Sequence, residues 1–423
     1  MFGKITQLFK VKDLRNKIIF VLAMLVIFRI AAAIPVPGID LLKLKRFFET
    51  NQLFGLLNIF SGGAMSNFSI AMLGVAPYIT ATIIMQLLTM IFPQIEEMYK
   101  DQGEAGRHKF NQISRLLTVP LGALQSYAMI TLLQKQGVVS LLSLTNLITT
   151  IVIITAGTVF LMWIGELISE KGIGNGVSLI IFAGIIAGMP MAVQQVLATW
   201  DASKIPIIIG FVIAAVLIIA GIVIITEAQR NIAINYAKQV RGRKMYGGVS
   251  TYLPMRLNQA GVIPIIFAIS IMLFPGMAAS FLATTNISWL ASGSQRLAVL
   301  FQNQLLYGAL YFILVILFTY FYTAITFDPK TIAENLQKQG GFVPGIRPGE
   351  PTAAHIKFIL HRTTLVGAMF LGVVAVLPFI MQSITNISAL AIGGTGLLIV
   401  VSVVLETMKQ IDSQLVMREY DGF

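Results

Sequence analysis

Long unbroken apolar stretches fill most of the chain, and short polar, basic segments separate them. A helix that crosses about 30 Å of hydrocarbon needs roughly 20 apolar residues at about 1.5 Å each. Against that length the pattern predicts ten spans, near 18–34, 70–92, 114–134, 146–168, 177–198, 205–226, 259–283, 301–326, 363–382 and 388–408. A membrane β-barrel would read instead as short segments of alternating polarity. The chain is therefore expected to be an all-α polytopic membrane protein. One more apolar stretch, 53-LFGLLNIFSGGAMSNF-68, is too short to cross and is broken at Ser61-Gly62-Gly63. Irregular backbone at membrane depth survives only where protein or a wet cavity surrounds it, so this stretch reads either as a re-entrant helix or as an amphipathic helix on the outer surface.

Ten spans divide as five plus five. An odd number per half makes the second half run in the opposite sense, which an inverted repeat requires. On that division the N-terminal half is 1–198, 199–204 is a hinge, the C-terminal half is 205–408, and 409–423 is a cytosolic tail.

Composition supports the membrane assignment. Of the 423 residues 56% are hydrophobic and only 11% charged, against about 25% charged in soluble domains. A soluble enzyme, a disordered chain and a disulfide scaffold are excluded, and with no Cys there is no thiolate nucleophile or Cys-ligated zinc. The net charge of +12 is read first as topology. With the N-terminus in the cytosol, 23 of the 30 Lys and Arg fall in cytosolic segments and 6 outside, which places both termini inside. The basic start and the run to Ala31-Ala32-Ala33 have the outline of a secretory signal, but Arg29 interrupts the apolar core, so the segment reads as a retained first helix. Arg29 is expected to snorkel outward or to pair within the bundle.

Two cytosolic segments are longer than connectors need to be. Segment 227–258 carries six basic residues against Glu227, and segment 327–362 carries the turn-rich 344-PGIRPG-349. Basic loops of that reach suit a large anionic partner. No phosphate-loop, nucleophile-elbow or HExxH pattern occurs. His108, His355 and His361 have no carboxylates at ligand spacing, so neither metal nor cofactor is expected. The glycines of 172-GIGNG-176 join two membrane helices and make no phosphate loop, and Gly184 and Gly188 form a GxxxG pair suited to close helix contact. Glu166 and Glu406 fall near the cytosolic ends of their spans, leaving few ionisable groups at mid-membrane. That absence and the basic loops argue against an ion-coupled transporter, the other function this layout allows. An intramembrane protease has no nucleophile–base or paired-Asp motif to rest on.

Specific strings carry more. The runs 35-PVPGID-40, 59-IFSGGAMSNFSI-70, 74-GVAPYITATIIMQLL-88, 172-GIGNGVSLIIFAGI-185, 261-GVIPIIFA-268, 342-FVPGIRPGE-350 and 393-GGTGLLIVV-401 resemble the SecY/Sec61-alpha family of protein-conducting channel subunits. They run in order from the first span to the last. The resemblance implies two inverted, pseudo-symmetric five-helix halves around a pore for unfolded polypeptide in the bacterial inner membrane, with no cofactor. It implies a constriction ring of Ile79, Ile83, Val177, Ile181, Ile266 and Ile399, in which Val177 replaces the usual Ile. Spacing alone puts Ile79 with Ile83, and Val177 with Ile181, on one helix face. A narrow apolar ring dewets and blocks ions.

A plug is implied at Phe60, Ser61, Gly62, Gly63, Ala64, Met65, Ser66 and Asn67. A lateral gate toward lipid lies between spans two and seven, with three and eight alongside, where a hydrophobic signal helix enters hydrocarbon. Thr82, Gln86, Gln125, Asn258 and Gln259 occupy or border it. Each either holds the seam through hydrogen bonds worth roughly 0.6–2 kcal/mol or makes ordinary interhelical bonds with no gating role. Arg347, then Arg243, Lys244 and Arg241, are the implied docking residues for the ribosome and the SecA motor ATPase. SecE and SecG are the implied companion subunits, with signal sequences, unfolded preproteins and membrane lipids as the other partners.

Overall fold

Proline sets where several helices stop. In the computed structural model, which describes residues 11–36, 44, 58, 61–100, 102–135, 137–139, 143–198, 205–236, 239–241, 244–246, 250–282, 304–385 and 388–421, the first helix, α1, is Lys12–Ala33. It ends because Ile34 precedes Pro35 and is pushed to extended backbone. Helix α2 (Ala76–Ile91) takes Pro77 in its first turn, where the missing N–H costs nothing. It stops at Phe92, again before a proline, and the polar α3 (Pro93–Lys100) leaves at 114°. Helix α4 (Gly103–Lys135) runs through Pro120, and α5 (Leu144–Lys171) is capped by Ser143, whose hydroxyl accepts from the Asn146 N–H at 3.4 Å. Then follow α6 (Gly176–Ala198), α7 (Ile205–Glu227), α8 (Ile263–Leu282) and α9 (Gln304–Thr326). The short α10 (Pro329–Lys338) is capped by Asp328, which accepts from the Lys330 N–H at 3.0 Å. Helices α11 (Glu350–Thr385) and α12 (Ser388–Asp421) complete the chain.

Each of the ten expected spans falls on a helix: α1, α2, α4, α5, α6, α7, α8, α9, α11 and α12. Among the described residues, Lys12–Ala33, Gly103–Gln134, Leu144–Lys171, Leu305–Lys338 and Glu350–Leu377 are each long and apolar enough to cross a membrane, and the bent α2–α3 pair makes a sixth. Large apolar side chains such as Leu22, Val26, Val212, Val216 and Leu317 are exposed, as lipid-facing positions require.

Four boundaries differ from the sequence pattern. The second span begins at Ala76, because residues 61–75 form successive turns with no continuous helix. Helices α4 and α11 start well before their spans, so both run out of the apolar layer. Helix α12 continues to Asp421 through much of the expected tail. The expected hinge, 199–204, lies outside the described residues.

The basic segment 227–258 is built of strands. β1 (Gln229–Tyr236) pairs antiparallel with β4 (Ser250–Arg256), Ile232 opposite Leu253, and its far end pairs with β5 (Gly341–Phe342), giving the order β4-β1-β5. Between them β2 (Gln239–Arg241) and β3 (Lys244–Tyr246) form a separate antiparallel pair. Ile232 and Ile234 alternate inward on β1 and share a core with Met255, Leu336, Val343, Ile356 and Ile359. The two long basic segments are thus one module with its own hydrophobic centre, seated on α10 and the start of α11.

The helices pack as two groups. In the first, α4 lies on α2 and α5, α5 on α6, and α1 on both α5 and α6. In the second, α9 lies on α8 and α11, and α12 on α7 and α11. The groups meet along two seams, α8 against α2 and α4 on one side and α12 against α6 on the other.

Candidate functional site

The six ring candidates come from four helices and both groups. Ile79 and Ile83 lie on α2, Val177 and Ile181 on α6, Ile266 on α8 and Ile399 on α12. The five isoleucines are buried in a single hydrophobic cluster, and Val177 packs half-buried against it. The i,i+4 spacing on α2 and α6 aims both members of each pair at that cluster. Ile399 and its neighbour Leu398 are fully buried. An aliphatic knot where two helix groups converge has no polar side for water to follow, which is the chemistry of a seal.

A tight series of turns lies on this knot. Ala64 is fully buried in the same cluster. Gly62 and Gly63 hold φ of +71° and +79°, backbone that only glycine adopts freely. An added Cβ on Gly62 would lie 2.9 Å from Gly184 Cα on α6 and 2.9 Å from Phe28 Cζ on α1. Gly184 therefore admits this turn against α6, whereas a Cβ on its GxxxG partner Gly188 would meet nothing within 4 Å. Asn58 organises the turn: its carbonyl accepts from the Gly63 N–H at 2.7 Å and its side-chain oxygen from the Ser66 N–H at 2.7 Å. Ser61 Oγ donates to the Asn58 carbonyl and accepts from the Met65 N–H. Ser61, Ala64 and Met65 are buried, and Gly63, Ser66 and Asn67 are half-buried. Phe60, the first residue expected here, lies outside the described residues.

The α2–α8 seam carries the polar candidates, though not as expected. Thr82 and Gln86 are on α2 and Gln125 on α4, but Asn258 and Gln259 precede α8, which starts at Ile263. Thr82 donates its hydroxyl within its own helix, to the Ile79 carbonyl at 2.8 Å. Asn258 Nδ2 donates to the Gly261 carbonyl at 3.1 Å, fastening the turn that leads into α8. The side-chain oxygens of Gln86 and Asn258 are buried with no donor opposite. Unsatisfied acceptors of that kind weaken a closed seam.

Opposite, α12 meets the first group through a polar and apolar clasp. The Gly174 N–H donates to Gln410 Oε1 at 2.8 Å, and Ile173 is buried with Ile411 and Leu14. Lys409 pairs with Glu227 at 2.8 Å, tying α12 to α7. Glu166, near the end of its span, pairs with Arg115 Nε at 2.6 Å, tying α5 to α4.

At the basic module, Arg347 is exposed on the turn between β5 and α11. That turn is stiffened by the Ile346 N–H to the Val343 carbonyl at 3.0 Å and by Thr352 Oγ1 to the Arg347 carbonyl at 2.8 Å. Arg241 and Lys244 face each other as the last pair of the β2–β3 ladder. Arg243 lies outside the described residues. Among the described residues no cluster of His, Asp and Glu could hold a metal.

A sequence profile of SecY matches residues 69–408. The chain belongs to the SecY family. It is 44% identical to the protein translocase subunit SecY of Halalkalibacterium halodurans over 100% of both chains. It is 43% identical to that of Bacillus licheniformis, over 100% of this chain and 99% of the relative, and 42% identical to that of Corynebacterium glutamicum, over 99% of each. A solved protein-conducting channel superposes with a TM-score of 0.64 at 18% identity, covering 94% of this chain and 91% of that chain. A SecY structure concerned with the plug domain gives 0.62, and Sec61 in the canine ribosome–channel complex 0.63, both at 18% identity with the same coverage. These establish a multi-pass membrane protein with the protein-conducting channel fold. In this SecY chain, sequence reasoning missed the contact of Arg29 with Gly62 and the Gly174–Gln410 clasp, because both join residues remote in the sequence.

Proposed function

We propose that this chain is the pore-forming subunit of a protein translocase, passing unfolded secretory polypeptides across the membrane and releasing hydrophobic segments sideways into lipid. The convergence of six aliphatic side chains from α2, α6, α8 and α12, with the 61–69 turns laid on them, is the observation that carries it. The two helix groups act as the halves of an inverted repeat. Closed, the aliphatic ring excludes water and ions; flexible side chains then conform to whatever chain passes. Parting of α8 from α2 and α4 opens the ring to lipid, while the α6–α12 clasp keeps the halves together. The residues in the seam, Thr82, Gln86, Gln125, Asn258 and Gln259, set how readily it parts.

The chain supplies no energy for transport. A SecA motor or a translating ribosome pushes the polypeptide, docking on the basic module through Arg347, Arg243, Lys244 and Arg241. The presence of canine Sec61, a structural neighbour, in a ribosome–channel complex supports a ribosome as one of the partners. SecE and SecG complete the assembly in the bacterial inner membrane, with both termini in the cytosol as the 23-to-6 distribution of Lys and Arg favours.

The chain has no Cys, so a clean test is available. With Ile83→Cys and one thiol in a stalled secretory chain, a disulfide is expected between them. Cross-linking to a lipid-facing site such as Leu22→Cys with none at position 83 would refute the pore assignment.

A further inference from the structure

The turns over the ring are fastened twice, once to the residues just after α1 and once to α1 itself. At the base, the Val36 N–H donates to the Phe68 carbonyl at 2.9 Å and the Ile70 N–H to the Ile34 carbonyl at 3.1 Å, a short backbone bridge around Pro35 and Ser69. At the tip, Arg29 Nη1 donates to the carbonyl of Gly62. The carbonyls of Ser61, Gly63, Ala64 and Met65 all accept from inside the segment, from the N–H groups of Ala64, Asn67, Ser69 and Phe68. Among these five consecutive carbonyls, that of Gly62 is the one whose donor belongs to the wall. The positive φ at Gly62 and Gly63 turns that carbonyl away from the internal ladder and toward α1.

We propose that Arg29 is the latch of the closed channel, a positioning residue that holds the tip of the 61–69 segment through the Gly62 carbonyl while the Pro35–Ser69 bridge serves as the hinge. The proposal rests on the plug and ring assignment above and adds the residue that decides how often the tip lifts. Its chemistry suits a reversible catch. Guanidinium presents five N–H donors in a fixed fork and no acceptor, so it meets the carbonyl as a donor alone. A charge-assisted hydrogen bond outweighs a neutral one. A peptide carbonyl is nonetheless a weaker partner than a carboxylate, and Arg29 is itself exposed, so a released guanidinium regains other partners and lifting the tip costs only the difference. An Asp or Glu opposite Arg29 would fix the tip; a neutral donor would barely hold it. The base bridge is made of backbone groups alone and survives any exchange of side chain at position 29.

The test uses the full chain, reconstituted with its companion subunits in phosphatidylethanolamine–phosphatidylglycerol vesicles, in a Ser66→Cys background. Ser66 is half-buried at the tip. The rate at which a membrane-impermeant maleimide labels that thiol from the outer side reports tip lifting, and resting ion flux reports the seal. Arg29→Gln is expected to raise both about tenfold, the scale on which losing a hydrogen bond to a charged group shifts a two-state population. Arg29→Lys keeps a charged donor and is expected to stay within about threefold. Unchanged labelling in Arg29→Gln, or an equal rise in both variants, overturns the latch, since a merely structural arginine would make no distinction between Gln and Lys. A variant lacking residues 62–67 with Arg29 intact separates the two levels. If it leaks and Arg29→Gln does not, the latch alone fails; if it stays ion-tight, the plug assignment fails with it.

Discussion

Gly157, on α5, stands against the carbonyl of Ile70, and a Cβ built there would lie 1.9 Å from that oxygen and 2.7 Å from its carbon. Ordinary contact begins near 3.5 Å, so Gly157→Ala forces the 69–71 backbone or α5 to retreat by about 1.5 Å. The clash is with backbone, which has no rotamer to escape into. Ile70 also donates to the Ile34 carbonyl, so its retreat loosens the base bridge as well. Overpacking costs about 1–3 kcal/mol and a strained hydrogen bond adds about 1 kcal/mol, so we expect a loss of about 3 kcal/mol. Gly188→Ala is the matched control, one helix away, where a Cβ meets nothing within 4 Å. It should be neutral or stabilise by up to about 1 kcal/mol through helix propensity. Thermal unfolding in detergent micelles, followed by Trp fluorescence, compares the two. Equal midpoints for Gly157→Ala and Gly188→Ala would refute the packing described for the 61–75 turns.

Further outcomes follow from the basic module and from the end of α5. Ile356, fully buried in the core shared by the two basic segments, should cost about 2–5 kcal/mol as Ile356→Ala, with faster proteolysis within segment 227–258; unchanged cleavage would mean the segments fold independently. Arg347→Glu should abolish SecA-driven export, measured by protease protection of a preprotein, while the variant inserts normally. Unchanged export would remove Arg347 from the docking surface. The Arg115–Glu166 pair is partly solvated, with side chains 41% and 20% exposed, so Glu166→Gln should lower unfolding stability by about 1 kcal/mol or less.

What could be read from the chain follows the strength of the physical constraint. A span needs some twenty apolar residues, a demand so restrictive that all ten helices are visible as runs. The Pro after Ile34 and Phe92 likewise shows where α1 and α2 end. Segment 227–258 is different. Its alternation of Ile232, Ile234 and Tyr236 is a strand signal, but four polar neighbours and a high basic content make it look like a charged connector. Its partner face, Leu336 and Val343, lies about a hundred residues on. The ring residues were named from family strings; without those, Ile79 or Ile399 is one aliphatic among many. The turns at 61–75 defeat periodicity altogether, because their order comes from Asn58, Arg29 and the backbone of Ile34 and Val36 just after α1. The gate candidates lie on α2, on α4 and ahead of α8, and Thr82 and Asn258 spend their donors locally, a choice that only three-dimensional neighbours determine.

The central claim is that the aliphatic ring is the seal. Replacing one residue from each half, Ile83→Asn together with Ile399→Asn, removes apolar cover from both sides while leaving the helices intact. Ion flux through resting, substrate-free vesicles is the measurement. The account predicts a clear rise in conductance over the native chain; vesicles as ion-tight as before would contradict it.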